Sequence, residues 1–200
     1  MEPSQKQDKR ALRRELRAKR AAIPETERAK SSRTINCILK QSIKRGARIG
    51  VYWPMGKELE LNGFVSAAAK RGAKLYLPYI EPEKRRMWFT PYPADSSCKP
   101  ERRRMRPKLQ VPQFAGKKIR AHKLNLLLVP LVGIDGCGYR LGQAGGYYDA
   151  TLAALKGRLK PKTVGAGFAC QQVCRLPHEP HDIPLDAFVS ERGRQTFRRP

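Results

Sequence analysis

The chain has 200 residues, of which 40% are hydrophobic, and it carries a formal net charge of +25 at pH 7. This composition is typical of a folded protein with a substantial core, and no apolar run approaches the roughly 18–20 residues that a membrane-spanning helix needs. The excess of positive charge predicts affinity for anions, whether nucleic acid, an acidic membrane surface or a polyanionic small molecule, without choosing among them.

Compartment and assembly can be addressed from the N-terminus and the cysteines. The first twenty residues are charged and lack the apolar segment of a secretory signal. Five cysteines form no paired framework, which favours a reducing compartment. Cys170 and Cys174 lie four residues apart without a second group of ligands, so we interpret them as ordinary thiols rather than a zinc site. We therefore expect a cytoplasmic protein with no membrane segment. We also expect it to be a monomer.

Apolar spacing along the chain predicts helices that alternate with short strands. Leu12 and Leu16 lie one turn apart in a basic first helix, and Pro24 followed by Glu25 is typical of a helix start. The predicted helices cover residues 6–22, 25–44, 59–71 and 147–158, and the predicted strands cover residues 48–53, 74–78, 87–90, 124–131 and 163–168, with a further apolar run at residues 187–189. This alternation indicates one α/β domain over residues 1–200, a three-layer Rossmann-like domain with a mostly parallel sheet flanked by helices. Residues 91–121, rich in proline and arginine, are expected to be the least structured region, and residues 191–200 a basic tail.

A glycine-rich segment at residues 133–146 lies between a predicted buried strand and a predicted helix. Its glycines leave backbone N–H groups uncovered, which together with the positive end of a helix dipole suits phosphate. The segment contains neither the G-x-x-x-x-G-K-[ST] pattern nor a G-x-G-x-x-G pattern that opens the helix. Tight packing of a helix on a sheet is the alternative explanation for these glycines. Arg140 and Asp149 favour a nucleotide, because they supply the two charged groups that a magnesium nucleotide needs.

Several segments resemble the 5-formyltetrahydrofolate cyclo-ligase family (5,10-methenyltetrahydrofolate synthetase). The specific one is Gly138-Tyr139-Arg140-Leu141-Gly142 followed by Gly145-Gly146-Tyr147-Tyr148-Asp149. Lys9 to Arg13, Met55 to Glu60, and a C-terminal segment with Phe168, Gln171 and Pro177 to Asp186 agree in order and spacing. The chain departs from the family pattern at Ala144, where glycine is usual. A methyl group fits there if the local φ is negative and is strained if φ is positive.

The resemblance implies conversion of 5-formyltetrahydrofolate to 5,10-methenyltetrahydrofolate, with ATP and Mg²⁺ as cofactors and release of ADP and phosphate. Phosphorylation of the formyl oxygen would create a leaving group, and N10 would then attack. The implied partner is a small-molecule substrate, a reduced folate with or without a polyglutamate tail. No covalent enzyme nucleophile is needed, so the protein positions groups and stabilises charge.

The same resemblance implies roles for individual residues. Arg140 and Tyr147 would be catalytic. Nucleotide contacts are expected from Lys9, Arg10, Ala11, Leu12, Arg13, Arg140, Leu141, Gly142, Gln143, Ala144, Gly145, Gly146, Tyr147 and Tyr148. Substrate contacts are expected from Met55, Glu60, Gln143, Ala144, Gly145, Gly146 and Tyr147. Asp149 and Asp182 would bind the metal as hard oxygen ligands.

Two alternatives to this function remain at the level of sequence. A basic protein of this fold that has lost the reaction would bind nucleic acid, although aromatic residues are not interleaved with the basic runs as a stacking surface requires. An ATP-using relative with another substrate is also compatible with the residues. The cluster at residues 102–108 is a candidate contact for a polyglutamate tail, and His178 and His181 are interpreted as loop residues.

Overall fold

The computed structural model describes residues 3–81, 84–93, 98–104, 111–155, 160–179 and 182–197. Its helices are α1 (Pro3–Ala21), α2 (Glu25–Lys40), α3 (Asn62–Lys70) and α4 (Tyr147–Ala153), with 3-10 turns at Ala121–Lys123 and Ala169–Gln171. Its strands are β1 (Arg48–Gly50), β2 (Lys74–Tyr79), β3 (Trp88–Pro91), β4 (Arg102–Arg104), β5 (Val111–Gln113), β6 (Leu126–Val129), β7 (Gly133–Ile134), β8 (Arg140–Leu141), β9 (Lys162–Ala166), β10 (Ala187–Ser190) and β11 (Gly193–Thr196).

Seven strands form the main sheet, in the order β11-β10-β9-β6-β1-β2-β3. The five inner strands are mutually parallel, and the two edge strands β3 and β11 are antiparallel to their neighbours. Two small antiparallel hairpins, β4–β5 and β7–β8, lie outside this sheet. The mostly parallel α/β architecture predicted from the sequence is confirmed.

Alternating side chains of the sheet pack into two apolar layers. In β6, Leu126 and Leu128 point to the layer that α2 and α3 cover, while Leu127 and Val129 point to the opposite layer, which α4 covers. All four residues of this central strand are buried. A strand buried on both faces explains why its sequence is continuously apolar rather than alternating.

The first helix lies apart from these two layers. Its charged sequence leaves one fully buried apolar side chain, Leu16, which packs with Val132, Leu141 and Leu176 in a small cluster of its own. A Cβ at Gly133 would lie 2.4 Å from Leu16 Cδ1, so the close approach of α1 to β7 requires glycine at that position. The helix therefore packs directly on the glycine-rich segment.

Three predicted regions differ from the structure. Residues 91–121 contain the β4–β5 hairpin, the glycine-rich segment contains the β7–β8 hairpin, and the predicted basic tail contains β11. These strands are short or exposed, so hydrophobic periodicity does not indicate them. Residues 105–108 of the predicted basic cluster lie outside the described residues. No helix in the described ranges is long and apolar enough to cross a membrane.

Candidate active site

The glycine-rich loop lies at the carboxyl ends of the parallel strands, where open α/β sheets bind ligands. It follows β6 and the β7–β8 hairpin, and it ends at α4. Gly146, the residue before α4, has φ 64°, and Ala144 has φ 75°. Ala144 thus occupies the left-handed region, the case in which its methyl group is strained. The helix after the loop has only seven residues, so its dipole adds less than the sequence suggested.

Two arginines of α1 hold the loop in place. Arg13 Nε donates a hydrogen bond of 2.8 Å to the carbonyl oxygen of Gly142. Arg17 donates to Oε1 of Gln143. Lys9, Arg13 and Arg17 repeat every four residues, so they share one face of the helix. Lys9 and Arg13 were expected to bind the nucleotide. Arg17 belongs to the same face, and the four-residue spacing could have identified it as a further residue that contacts the loop.

Arg140 and Asp149 form the charged centre of the site. Arg140 Nη2 lies 2.7 Å from Asp149 Oδ1, and Arg140 Nη1 donates a 3.2 Å bond to the carbonyl oxygen of Ile183. The Arg140 side chain is 3% exposed and lies near the ring of Tyr148. One guanidinium group therefore joins the start of α4 to the segment that begins at Asp182. Of the two predicted metal ligands, Asp149 pairs with this guanidinium, and Asp182 directly precedes the residue whose carbonyl accepts from it.

A second ion pair fixes the segment around Asp182. Lys9 Nζ lies 3.3 Å from Glu179 Oε1 and 3.4 Å from Asp182 Oδ2. The backbone N–H of Glu179 also donates to Asp182 Oδ2. Beside this pair, the exposed ring of His178 stacks on Tyr139 at 3.8 Å, which agrees with its interpretation as a loop residue; His181 lies outside the described residues. No group of three or more His, Cys, Asp or Glu side chains suited to a metal occurs among the described residues.

A cavity of about 190 Å³ opens between this loop and the strands β1 and β2. One wall is mainly apolar and includes Tyr52, Trp53, Met55, Leu77, Pro78, Ile80, Met87, Val111, Pro112 and Pro130. The opposite wall consists of Glu58, Arg140, Gly142, Gln143, Gly145, Gly146, Tyr147, Tyr148 and Asp149. An apolar slot with a charged end suits a flat ring system that carries polar edges.

The glutamate in this cavity is Glu58, which the sequence analysis missed. Its side chain is buried, Gln143 Nε2 donates to Oε1 at 3.0 Å, and the backbone N–H of Met55 donates to Oε2 at 3.1 Å. Burial raises the pKa of Glu58, partly offset by the Gln143 hydrogen bond and by the nearby charge of Arg20. Glu60, the residue predicted from the resemblance, is exposed and lines a different cavity, beside α2. The structure thus corrects which carboxylate faces the loop.

Two tyrosines of α4 and one of the β1 loop complete the cavity. Tyr147 lies against Gly145, where a Cβ would come within 2.7 Å of the ring, so glycine is needed for this contact. Burial raises the pKa of both Tyr148 and Tyr52 well above their ordinary values. These phenols stay protonated at neutral pH and can donate hydrogen bonds.

Four of the residues predicted to bind the nucleotide lie elsewhere. Arg10 and Ala11 are exposed on α1, where no described contact joins them to the loop. Leu12 and Leu141 pack in the apolar cluster around Leu16 and support the loop from beneath. Leu12 and Leu141 thus have a packing role, and the nucleotide contacts expected from these four residues stay predictions.

The fold and this site define the class: a three-layer α/β protein whose ligand site is built on a glycine-rich loop at the carboxyl edge of the sheet. A model of the 5-formyltetrahydrofolate cyclo-ligase family matches residues 5–191. The chain belongs to this family, whose members are ligases.

Individual relatives and solved structures agree with this assignment. The 5-formyltetrahydrofolate cyclo-ligase of Escherichia coli (strain K12) is 33% identical over 144 residues, which cover 71% of this chain and 76% of that protein. The Haemophilus influenzae protein of the same name is 30% identical over 176 residues, covering 86% of this chain and 90% of that protein. The 5,10-methenyltetrahydrofolate synthetase of Aquifex aeolicus superimposes with a TM-score of 0.70 at 27% identity, covering 96% of this chain and 94% of that chain. That of Mycoplasma pneumoniae has the same fold, with a TM-score of 0.72 at 24% identity, covering 92% of this chain and 99% of that chain.

Proposed function

We propose that the protein converts 5-formyltetrahydrofolate to 5,10-methenyltetrahydrofolate, with MgATP as the second substrate and ADP and phosphate as products. The observation that carries the proposal is the cavity in which an apolar slot meets the glycine loop and the Arg140–Asp149 pair. The family match over residues 5–191 supports the reaction type.

The apolar slot would hold the folate ring system. Trp53 and Tyr147 offer aromatic faces at the slot, and Met55 adds an adaptable apolar contact. Glu58 would accept hydrogen bonds from N–H donors of the pterin, since its carboxylate is buried and faces the cavity. Each Glu58 oxygen accepts one hydrogen bond within the protein, and a carboxylate oxygen can accept a second one from a ligand.

The charged end of the cavity would hold the polyphosphate. Arg140 supplies a fixed cation, and the backbone of Gly142 to Gly146 offers N–H groups with little side-chain cover. Lys9 and Arg13 approach from α1, beside the same loop. A cation that binds through one or two carboxylates and substrate phosphates would be held by Asp149, which pairs with Arg140, and by Asp182, which precedes the Ile183 carbonyl that Arg140 contacts. Mg²⁺ held there would neutralise phosphate charge.

The chemistry follows from the poor reactivity of the formyl group, an amide-like carbonyl. Its oxygen attacks the γ-phosphorus of ATP, the bond to the β-phosphate oxygen breaks, and ADP leaves. N10 then attacks the activated carbon, the carbon–oxygen bond breaks, and phosphate leaves with both electrons of that bond. N10 loses its proton, which completes the methenyl bridge. The protein contributes orientation, exclusion of water by the apolar wall, and charge stabilisation by Arg140.

Turnover can be measured directly with purified protein, 5-formyltetrahydrofolate and MgATP, because the methenyl product absorbs in the near ultraviolet. We expect an absorbance increase that requires ATP and that is lost in Arg140→Ala. Arg33→Ala, at an exposed arginine of α2 outside this cavity, is the matched control and should retain turnover. A folded protein that binds ATP without forming product would support another substrate, and one that binds neither ligand would refute the proposal.

The choice between the two glutamates is a separate test. Glu58→Gln should raise the KM for 5-formyltetrahydrofolate at least about tenfold, because a charge-assisted hydrogen bond is worth roughly 1.5–3 kcal/mol. Glu60→Gln should leave KM within about twofold, since Glu60 is exposed outside the cavity. The opposite order of effects would return the substrate contact to Glu60.

A further inference from the structure

The amino ends of the parallel strands, at the end of the sheet opposite the cavity, carry a concentration of positive charge. Nine basic residues lie in the loops and first positions there, and we call them the basic row: Lys44, Arg45, Arg48, Lys70, Arg71, Lys74, Lys123, Lys160 and Lys162. Eight of these side chains are exposed and Arg48 is partly buried. The basic row is thus a surface feature and plays no part in the core.

Backbone hydrogen bonds join these loops into one continuous edge. Gly46 N–H donates to Gly72 O at 3.0 Å and Lys74 N–H to Ala47 O at 2.8 Å, which ties the loop before β1 to the loop before β2. Asn125 forms the remaining link, because its N–H donates to Arg48 O and its carbonyl accepts from Lys162 N–H. The four strands β2, β1, β6 and β9 are neighbours in that order, so the edge spans about 15 Å.

The basic row contains no opposing charge of its own. Residues 40–48, 70–74, 121–125 and 160–162 include no aspartate or glutamate. None of the nine cations forms an ion pair with a described residue. Asp186, before β10, accepts hydrogen bonds from the N–H and the hydroxyl of Thr163, next to Lys162. With nine cations and this one carboxylate, the field at the described part of the edge is positive.

The neighbours of these cations restrict the kind of polyanion that fits. Gly46, Gly72 and Asn125 are the exposed residues between them, while Ile43 and Leu124 are buried. The described residues of the edge thus include no exposed aromatic or large apolar side chain of the kind that anchors a protein in a membrane interface or stacks on unpaired bases. A line of cations without stacking residues matches the phosphate backbone of a duplex, which is also linear.

We propose that the basic row is a binding surface for duplex nucleic acid, which it contacts through phosphates and without sequence preference. The surface is separate from the folate cavity, because it lies at the opposite ends of the same strands. Binding there leaves the cavity open, so the proposal stands or falls independently of the proposed reaction.

The test measures fluorescence anisotropy of a labelled 20-base-pair duplex over a range of KCl concentrations. The triple variant Arg45→Glu, Lys74→Glu and Lys162→Glu removes three cations spread along the basic row. We expect its affinity to fall more than about tenfold and the slope of log K against log[salt] to decrease by about two to three. A second triple variant with glutamine at the same positions should show a smaller loss in the same direction, and it remains informative if reversal impairs folding.

The matched control reverses three exposed cations elsewhere: Lys30→Glu, Arg33→Glu and Lys117→Glu. This control and the glutamate variant of the basic row lower the net charge equally. A loss of affinity that occurs only in the basic-row variant therefore supports a defined surface. Equal losses in the two variants would overturn the proposal in favour of a general charge effect. Tighter binding to phosphatidylserine vesicles than to the duplex, or preference for a single strand, would also overturn it. Thermal melting should show that all variants are folded.

Discussion

Ala144 offers a direct test of the loop geometry, because an alanine occupies a conformation that favours glycine. Its φ of 75° lies in the left-handed region, which costs a non-glycine residue roughly 1–2 kcal/mol. The side chain is exposed, so Ala144→Gly removes no buried contact. Glycine also gives the unfolded chain about 0.4–1 kcal/mol of additional entropy, which opposes the gain.

The difference predicts that Ala144→Gly stabilises the protein by about 0.5–1 kcal/mol. For a protein of this size, that gain corresponds to a rise in Tm of roughly 1–4 °C, measurable by differential scanning calorimetry. Ala29→Gly, at an exposed position inside α2, is the control and should destabilise by about 1 kcal/mol, because helix interiors disfavour glycine. Equal destabilisation by both substitutions would refute the left-handed conformation at Ala144.

Three further substitutions test charge and hydrogen bonding, two at the cavity and one between α2 and α3. Burial raises the pKa of Glu58, so the folded state binds more protons than the unfolded state between about pH 4.3 and the raised value, and stability falls as pH increases through that window. Glu58→Gln should abolish this fall in urea melts at a series of pH values; an unchanged slope would contradict the assignment. Asp149→Asn leaves the buried Arg140 cation without its carboxylate and should destabilise by about 1–3 kcal/mol in urea melts, whereas a loss below about 0.5 kcal/mol would mean that the pair is solvated. Asn36→Ala removes the acceptor for the N–H of Phe64, at 2.7 Å in the first turn of α3, and should cost about 2 kcal/mol by chemical denaturation. An effect as small as that of an exposed substitution would show that water replaces the amide.

The main sheet was predictable because its inner strands are buried on both faces. The run at β6 is continuously apolar, and the helices on either side have a helical period, so composition and spacing point to the same architecture. The edge strand β11 was not predictable, since its residues are largely exposed and only its backbone pairs with β10. Arg102–Arg104 in β4 is likewise uniform in charge, so no alternation marks it as a strand.

The loop of the candidate site stands out in the sequence, whereas the carboxylate that faces the loop does not. Arg140, Asp149 and the glycines stand in one segment, so a local pattern identifies them together. Glu58 and Glu60 are two residues apart and alternate with the buried residues Leu59 and Leu61, so the sequence pattern predicts the same exposure for both carboxylates. The chain turns at residues 56–58, where Glu58 N–H donates to Met55 O, so regular alternation does not extend from Glu58 to Glu60. A bend of this kind depends on tertiary packing, which one sequence does not reveal.

The hydrogen bonds between α1 and distant parts of the chain have a consequence for protein synthesis. Arg13 bonds to a residue 129 positions later, and Lys9 to one 173 positions later. Ribosomes add roughly 5–20 residues each second, so α1 is synthesised many seconds before the residues that it contacts. During that interval, the basic face of α1 has neither the loop nor Asp182 to bind. The contacts of α1 with the loop and with Asp182 therefore form only after the segment around Asp182 has been synthesised.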